Sequence, residues 1–186
     1  AGDIVQFIRR ARGYAPLPIS APCPEGTSEE LLAVGPEQKS TLTYARAGKA
    51  FVSQHVGDLE SAAVFDAWSE TRRRYASLLH FEPKRIVCDC HPEYLSTKWA
   101  LSQNLPITRA QHHHAHILSV MGENNLEGPV CGFAFDGTGY GLDGAIWGGE
   151  VLLSNLQAYE RFVNFAYIPL PGGAAAIKDP ARIAYG

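Results

Sequence analysis

Apolar and polar positions recur with changing periods along this chain, and the period marks the elements. From Leu31, LLAV reads as a buried strand and GPEQKS as a turn. TLTYAR and KAFVSQ follow as two strands joined around Ala47-Gly48, which completes a β-meander. Over residues 58–80 the period becomes helical, with Ala62, Phe65, Trp68, Tyr75 and Leu79 on one face. Asp58 is the expected N-cap, Glu60 falls in the first turn, and Arg72 to Arg74 lie toward the C-terminal end, an arrangement that suits the helix dipole. RIVCDC is a short apolar strand, Pro92 opens a helix through Gln103, LPITRA is a strand and HHHAHILSVMGEN a helix. PVCGFAF, residues 129–135, is expected to be a buried strand, with DGTGYGLDG as a hairpin loop and AIWGGEVLL as the returning strand. A further strand over 161–168 leads into the glycine-rich turn PLPGGAAA. Strands alternating with helices predict an α/β fold. The second meander partly echoes the first, which suggests a duplicated architecture.

The first 16 residues read as a tail with a strand over IVQFI and a basic run, Arg9, Arg10 and Arg12. Residues 15–29 hold four prolines and no periodicity, and read as a linker. Hydrophobic residues at 46% against 19% charged exclude a disordered chain. A net charge of −3 gives no polybasic surface for nucleic acid or membrane, so neither is an expected partner. No apolar run approaches the about 20 residues that span a bilayer, and no signal peptide is visible. Cys23, Cys88, Cys90 and Cys131 form no C-x-x-C pair, and two of them sit in apolar runs. They are read as reduced and mostly buried, which with the missing signal predicts a cytoplasmic location.

Four constellations carry candidate chemistry. His112-His113-His114-Ala115-His116 places His112 and His116 four apart on one helical face, a standard way to hold Zn²⁺ or Fe²⁺. His113 and His116 form a second possible pair, and a third ligand has to come from elsewhere. The run Asp136-Gly137-Thr138-Gly139-Tyr140-Gly141 ends a buried strand without a Walker lysine. Its glycines let backbone N–H groups face a phosphate, and its Asp and Thr suit a divalent ion and a phosphate oxygen. The alternative is a plain Asp-Gly hairpin turn. The turn Gly35 to Thr41 offers Lys39 as a phosphate counter-charge, and is equally readable as a solvated turn. Asp89 and His91 lie at a strand end, where α/β proteins place functional groups, while Ser96 and Thr97 read as filling.

Together, ARGYAP, GPEQKST, SQHVGDLE, CHPEYLST, QHHHAHI, FDGTGYGLDGAIWGGE and PLPGGAAAIKDPAR resemble the HypF family of hydrogenase-maturation carbamoyltransferases over nearly the whole chain. The resemblance implies an actin-like (ASKHA, ribonuclease H-like) fold. Its first lobe and the opening hairpin of its second are expected here, with a metal-bound nucleotide between lobes. It divides the chain into the end of a YrdC-like domain and linker (1–29), a first lobe with the histidine helix (30–128) and the start of a second lobe (129–186). It implies transfer of a carbamoyl group from carbamoyl-adenylate, made from carbamoyl phosphate and ATP, to the C-terminal cysteine of a HypE-like acceptor.

On that mapping His112 and His116 bind the metal, Zn or Fe, and Asp136 and Lys39 serve the reaction. Lys39, Ser40, Thr41 and the Asp136 to Gly141 run, with Gly137, Thr138, Gly139 and Tyr140, contact the phosphates of ATP and its Mg. Pro36, Gln38 and Ser40 depart from the family's pattern in the first turn. Further nucleotide contacts and an aspartate ligand are expected from sequence beyond residue 186, so the chain alone is expected to be inactive. The rival readings are another actin-like phosphotransferase, which does not need the histidine helix, and a non-catalytic binding fragment.

Overall fold

The computed structural model describes residue 15, residues 17–21 and residues 29–184. The expected strand over IVQFI, the basic run and Cys23 lie outside the described residues. The chain divides into two units, one ending at Gln111 and the other beginning at His112.

The first unit is a six-stranded sheet with two helices. Its strands are β1 (Ile19–Ser20), β2 (Leu31–Ala33), β3 (Thr43–Arg46), β4 (Lys49–Val52), β5 (Arg85–Asp89) and β6 (Ile107–Ala110), in the order β1-β4-β3-β2-β5-β6. The meander β2-β3-β4 is antiparallel, and β2, β5 and β6 are parallel neighbours. Helix α1 (Ala62–Leu79) links β4 to β5, and α2 (Leu95–Leu101) links the parallel neighbours β5 and β6, which no tight hairpin can join. The core gathers Leu32, Tyr44 and Ile86 from the strands with Trp68 and Tyr75 from α1. Trp68 is fully buried, stacked on Phe65 at 5.6 Å and edge-on to Trp99 at 5.2 Å.

Several expectations change here for local reasons. Part of the predicted linker is strand: Ile19 and Ser20 pair with Ala50 and Lys49, and just beyond them Ala21 donates its N–H to the Gly48 carbonyl at 3.0 Å. Helix α1 starts at Ala62, four residues later than predicted, because Asp58 Oδ1 accepts the Lys39 N–H at 2.8 Å instead of capping the helix. The arginine triplet is not at the helix end. Arg73 and Arg74 pair with Glu70, and the Arg72 guanidinium lies 4.6 Å over the Trp99 ring. Pro92 lies outside α2, which begins at Leu95, where the Leu95 N–H meets Glu37 Oε2 at 2.6 Å. Glu37 is buried, and that burial pushes its carboxyl above the usual value against the pull of this bond.

The second unit holds α3 (His112–Glu123), the antiparallel sheet β7 (Val130–Tyr140), β8 (Ile146–Ser154) and β9 (Tyr159–Asn164), and short helices α4 (Ala174–Lys178) and α5 (Pro180–Ile183). The histidine helix packs on this sheet. Its Ile117 and Met121 are buried with Leu152 of β8. The hairpin loop is shorter than predicted: β7 runs on to Tyr140, and the Gly141 N–H closes the turn on the Ala145 carbonyl at 2.9 Å. The strand predicted over 161–168 covers 159–164. PVCGFAF is not buried on both faces, since Cys131, Phe133 and Phe135 all lie exposed. Cys88 and Cys90 are buried as expected, and Cys131 is not. No described helix is long and apolar enough to cross a membrane.

Trp68 anchors the first unit. Trp68→Ala is expected to cost about 3–5 kcal/mol, read as a lowered urea midpoint, because no neighbour can fill an indole-sized void.

Candidate functional site

Helix periodicity sorts the four histidines. His113, Ile117 and Met121 follow one another at intervals of four and form the buried face of α3. His112 and His116 therefore fall on the adjoining face, one partly buried and the other half exposed. The geometry does not converge His113 with His116. Its Nε2 points instead to Asp136 Oδ1, 2.8 Å away. His114 turns elsewhere, with Nε2 3.1 Å from the Asn155 carbonyl.

Asp136 reaches the histidines by strand alternation: Cys131, Phe133 and Phe135 point outward, while Gly132 against Ile117, the buried Ala134 and Asp136 face α3. From Asp136 onward β7 is irregular. Phe135 pairs with Gly149 and Gly139 with Trp147, so Asp136, Gly137 and Thr138 together face Gly148 alone. Such a bulge bends its strand and re-aims side chains. Two glycines make the close fit possible. A Cβ on Gly148 would stand 3.1 Å from the Gly137 carbonyl oxygen, and one on Gly139 would stand 2.4 Å from Cε1 of His113 and 2.9 Å from Cδ2 of His112.

The three donors form a triangle. His112 Nε2 and His116 Nε2 lie 3.2 Å apart, and Asp136 Oδ2 stands 3.1 and 3.4 Å from them. Donors about 2.0–2.1 Å from Zn²⁺ at tetrahedral corners stand about 3.4 Å from one another, so the triangle fits one face of such a site. Asp136 Oδ2 is buried without a hydrogen bond of its own. Two imidazoles and a carboxylate are a common donor set for Zn²⁺ or Fe²⁺. Burial opposes ionisation of Asp136, and the imidazoles of His112, His113 and His116 outweigh it, holding the carboxyl far below the usual carboxylate range. Asp136 also lines two cavities, of about 660 and 350 Å³.

Behind His113 lies a polar network that the sequence reading missed. The Trp147 ring is 5.7 Å from the His113 ring, and the Arg161 guanidinium lies 4.0 Å over Trp147. Arg161 bonds the buried Glu150 at 2.6 Å, which raises its own pKa. Glu150 Oε1 in turn accepts the Gly148 N–H beneath the bulge at 3.3 Å. The signal was Trp147-Gly148-Gly149-Glu150, a carboxylate on a strand otherwise apolar.

The predicted phosphate-contacting residues are divided between the units. In the first, the Lys39 and Ser40 N–H groups are committed, to Asp58 Oδ1 and to the Gly57 carbonyl. The Ser40 hydroxyl is fully buried, and the Lys39 side chain is exposed on backbone with φ of 52°. Thr41 is partly buried, and its carbonyl oxygen would stand 2.6 Å from a Cβ on Gly35. In the second, Gly139 and Tyr140 pair with β8 and Gly141 closes the turn, leaving Gly137 and Thr138 at the bulge. Asp89 is buried and accepts the His91 N–H at 2.8 Å, a local turn at the end of β5.

The chain matches known families over most of its length. The model of the HypF Kae1-like domain covers residues 26–123, and that of the carbamoyltransferase Kae1-like domain, second subdomain, covers residues 132–186. A carbamoyltransferase HypF of Synechocystis is 48% identical over 179 residues, which are 96% of this chain and 23% of that protein. The HypF2 carbamoyltransferase of Cupriavidus necator is 41% identical over 97% of this chain and 22% of its own length. A crystal structure of full-length HypF in a phosphate- and nucleotide-bound form superposes with a TM-score of 0.91 at 45% identity, covering 96% of this chain and 24% of that one. Another, of T. kodakarensis HypF, superposes at 0.85 with 39% identity over 94% of this chain and 23% of its own. The chain thus spans about a quarter of the length of these relatives. With both units matched and the α/β architecture shared, the chain belongs to the HypF carbamoyltransferase family and falls within its Kae1-like domain.

Proposed function

We propose that this chain supplies the metal-holding part of a carbamoyl-transfer site, with His112, His116 and Asp136 as the protein ligands. The triangle of donors carries the reading, together with family membership. Three ligands leave further coordination positions open, as sites that act on a substrate require. A divalent ion there would act as a Lewis acid toward carbamoyl or phosphate oxygens. In the transfer, the acceptor's cysteine thiolate attacks the carbamoyl carbon of carbamoyl-adenylate, a C–S bond forms, the mixed anhydride breaks and AMP departs. On this reading Gly137 and Thr138, exposed and half-buried on the bulge, contact the nucleotide phosphates. The substrates are carbamoyl phosphate and ATP with Mg, the acceptor is a HypE-like protein, and the setting is the cytoplasm.

Elemental analysis of the purified chain is expected to show one divalent ion, lost in the His112→Ala/His116→Ala variant and in Asp136→Ala while circular dichroism is unchanged. Equal metal content in all three proteins removes the site. Because Asp136 is held below the usual carboxylate range, it is expected to contribute no step above pH of about 4 to the curve of metal release on acidification.

Gly139→Ala is expected to push the two imidazoles off the strand and weaken metal binding by about 10–100-fold, the scale of ligand-orientation defects. Val at the same position does not report on phosphate contact, since its side chain meets His112 and His113 first. In the full-length protein, His112→Ala is expected to abolish thiocarboxamide formation on an acceptor ending in cysteine, read by mass spectrometry. The isolated chain is expected to bind metal without turning over.

A further inference from the structure

His113 carries a feature that neither ligation nor packing accounts for. It is fully buried, yet its Nε2 is 2.8 Å from Asp136 Oδ1, the carboxylate oxygen turned away from the His112–His116 pair. A histidine needed only to fill the helix–sheet interface gains nothing from a carboxylate at that distance, and an apolar side chain would fill it without having to satisfy a polar group. The surroundings fix the ring. The bare α-carbon of Gly139 lies against its Cε1 edge, and the Trp147 indole, covered on one side by Arg161, stands on another. The same carboxylate thus has one oxygen toward the two imidazoles and the other toward a donor with no freedom to move.

From this geometry we infer that His113 is a positioning residue: its Nε2–H holds Asp136 Oδ1 so that Oδ2 completes the triangle with His112 and His116. Outer hydrogen bonds of this kind orient metal ligands, and their loss costs about 10–100-fold in metal affinity. Without the bond, Asp136 keeps its charge and its place on the bulge and loses its torsional anchor. The tautomer follows as well, because Nε2 has to carry the proton it donates to a carboxylate. The inference rests on the metal reading above, and its test separates the two.

Co²⁺ binding to the chain, followed by visible absorption and Zn²⁺ competition, is compared across wild type, His113→Leu, His113→Gln and His113→Asn. Glutamine can place an amide N–H where Nε2 stands, and asparagine is too short to do so. Leu and Asn are expected to weaken Co²⁺ binding by about 10–100-fold and Gln by less than about tenfold. A packing role predicts the reverse: losses that track thermal midpoint and no distinction between Gln and Asn. Either that pattern, or wild-type Co²⁺ affinity in a folded His113→Leu protein, overturns the assignment. If His113→Leu does not fold, the Gln and Asn pair decides alone. A wild-type chain that takes up no stoichiometric Co²⁺ sinks the metal reading itself, and His113 then has no ligand to position.

Discussion

The packing of α3 on the inner face of β7 is the constraint on which the donor triangle of the second unit depends. Along β7, alternation turns Cys131, Phe133 and Phe135 outward and Gly132, Ala134 and Asp136 toward α3, whose own period has turned His112 and His116 toward the same point. Neither element makes the triangle alone. The helix contributes two imidazoles through a spacing of four, and the strand contributes one carboxylate through a spacing of two. From Asp136 on, three residues of β7 face the single Gly148, and that mismatch sets Gly139 against the rings. The glycines at 139 and 148 let the two backbones and the rings come close enough to meet.

Much of this was legible in the sequence. The alternation of strands and helices gave the α/β architecture, and the i, i+4 histidines were recognisable as a pair. The family resemblance holds across both units. The Asp136 carboxylate was legible as one that suits a divalent ion, but its Asp-Gly-Thr-Gly context suggests a loop, since nothing in a linear pattern announces a bulge inside a strand. His113 was hidden for a related reason. In a run of adjacent histidines, only the burial of Ile117 and Met121 shows which position faces inward. Helix starts failed where a side chain from far along the chain intervened. Asp58 serves the Lys39 N–H, and Glu37 serves α2 across 58 residues of sequence.

The two units treat their first meander strand differently. In the first, β2 is flanked by the parallel β5 and its edge is filled, so its core residues are covered. In the second, β7 is an edge strand among the described residues. The turn from Gly35 to Thr41 also helps to hold the first unit together. Gly35 keeps φ of 69° against the Thr41 carbonyl, the Ser96 hydroxyl bonds the Gly35 carbonyl at 2.9 Å, and Glu37 anchors the start of α2.

The outer face of the three-stranded sheet has a consequence for handling the protein. Phe133 and Phe135 on β7, Phe162 on β9 and Phe165 beyond it are each at least 60% exposed, next to an edge strand of eleven residues. Apolar side chains beside an unpaired strand edge form a template for intermolecular β-pairing. The isolated chain is therefore expected to associate through this face as its concentration rises, and a charged residue placed at Phe133 is expected to reduce the light scattering that reports it.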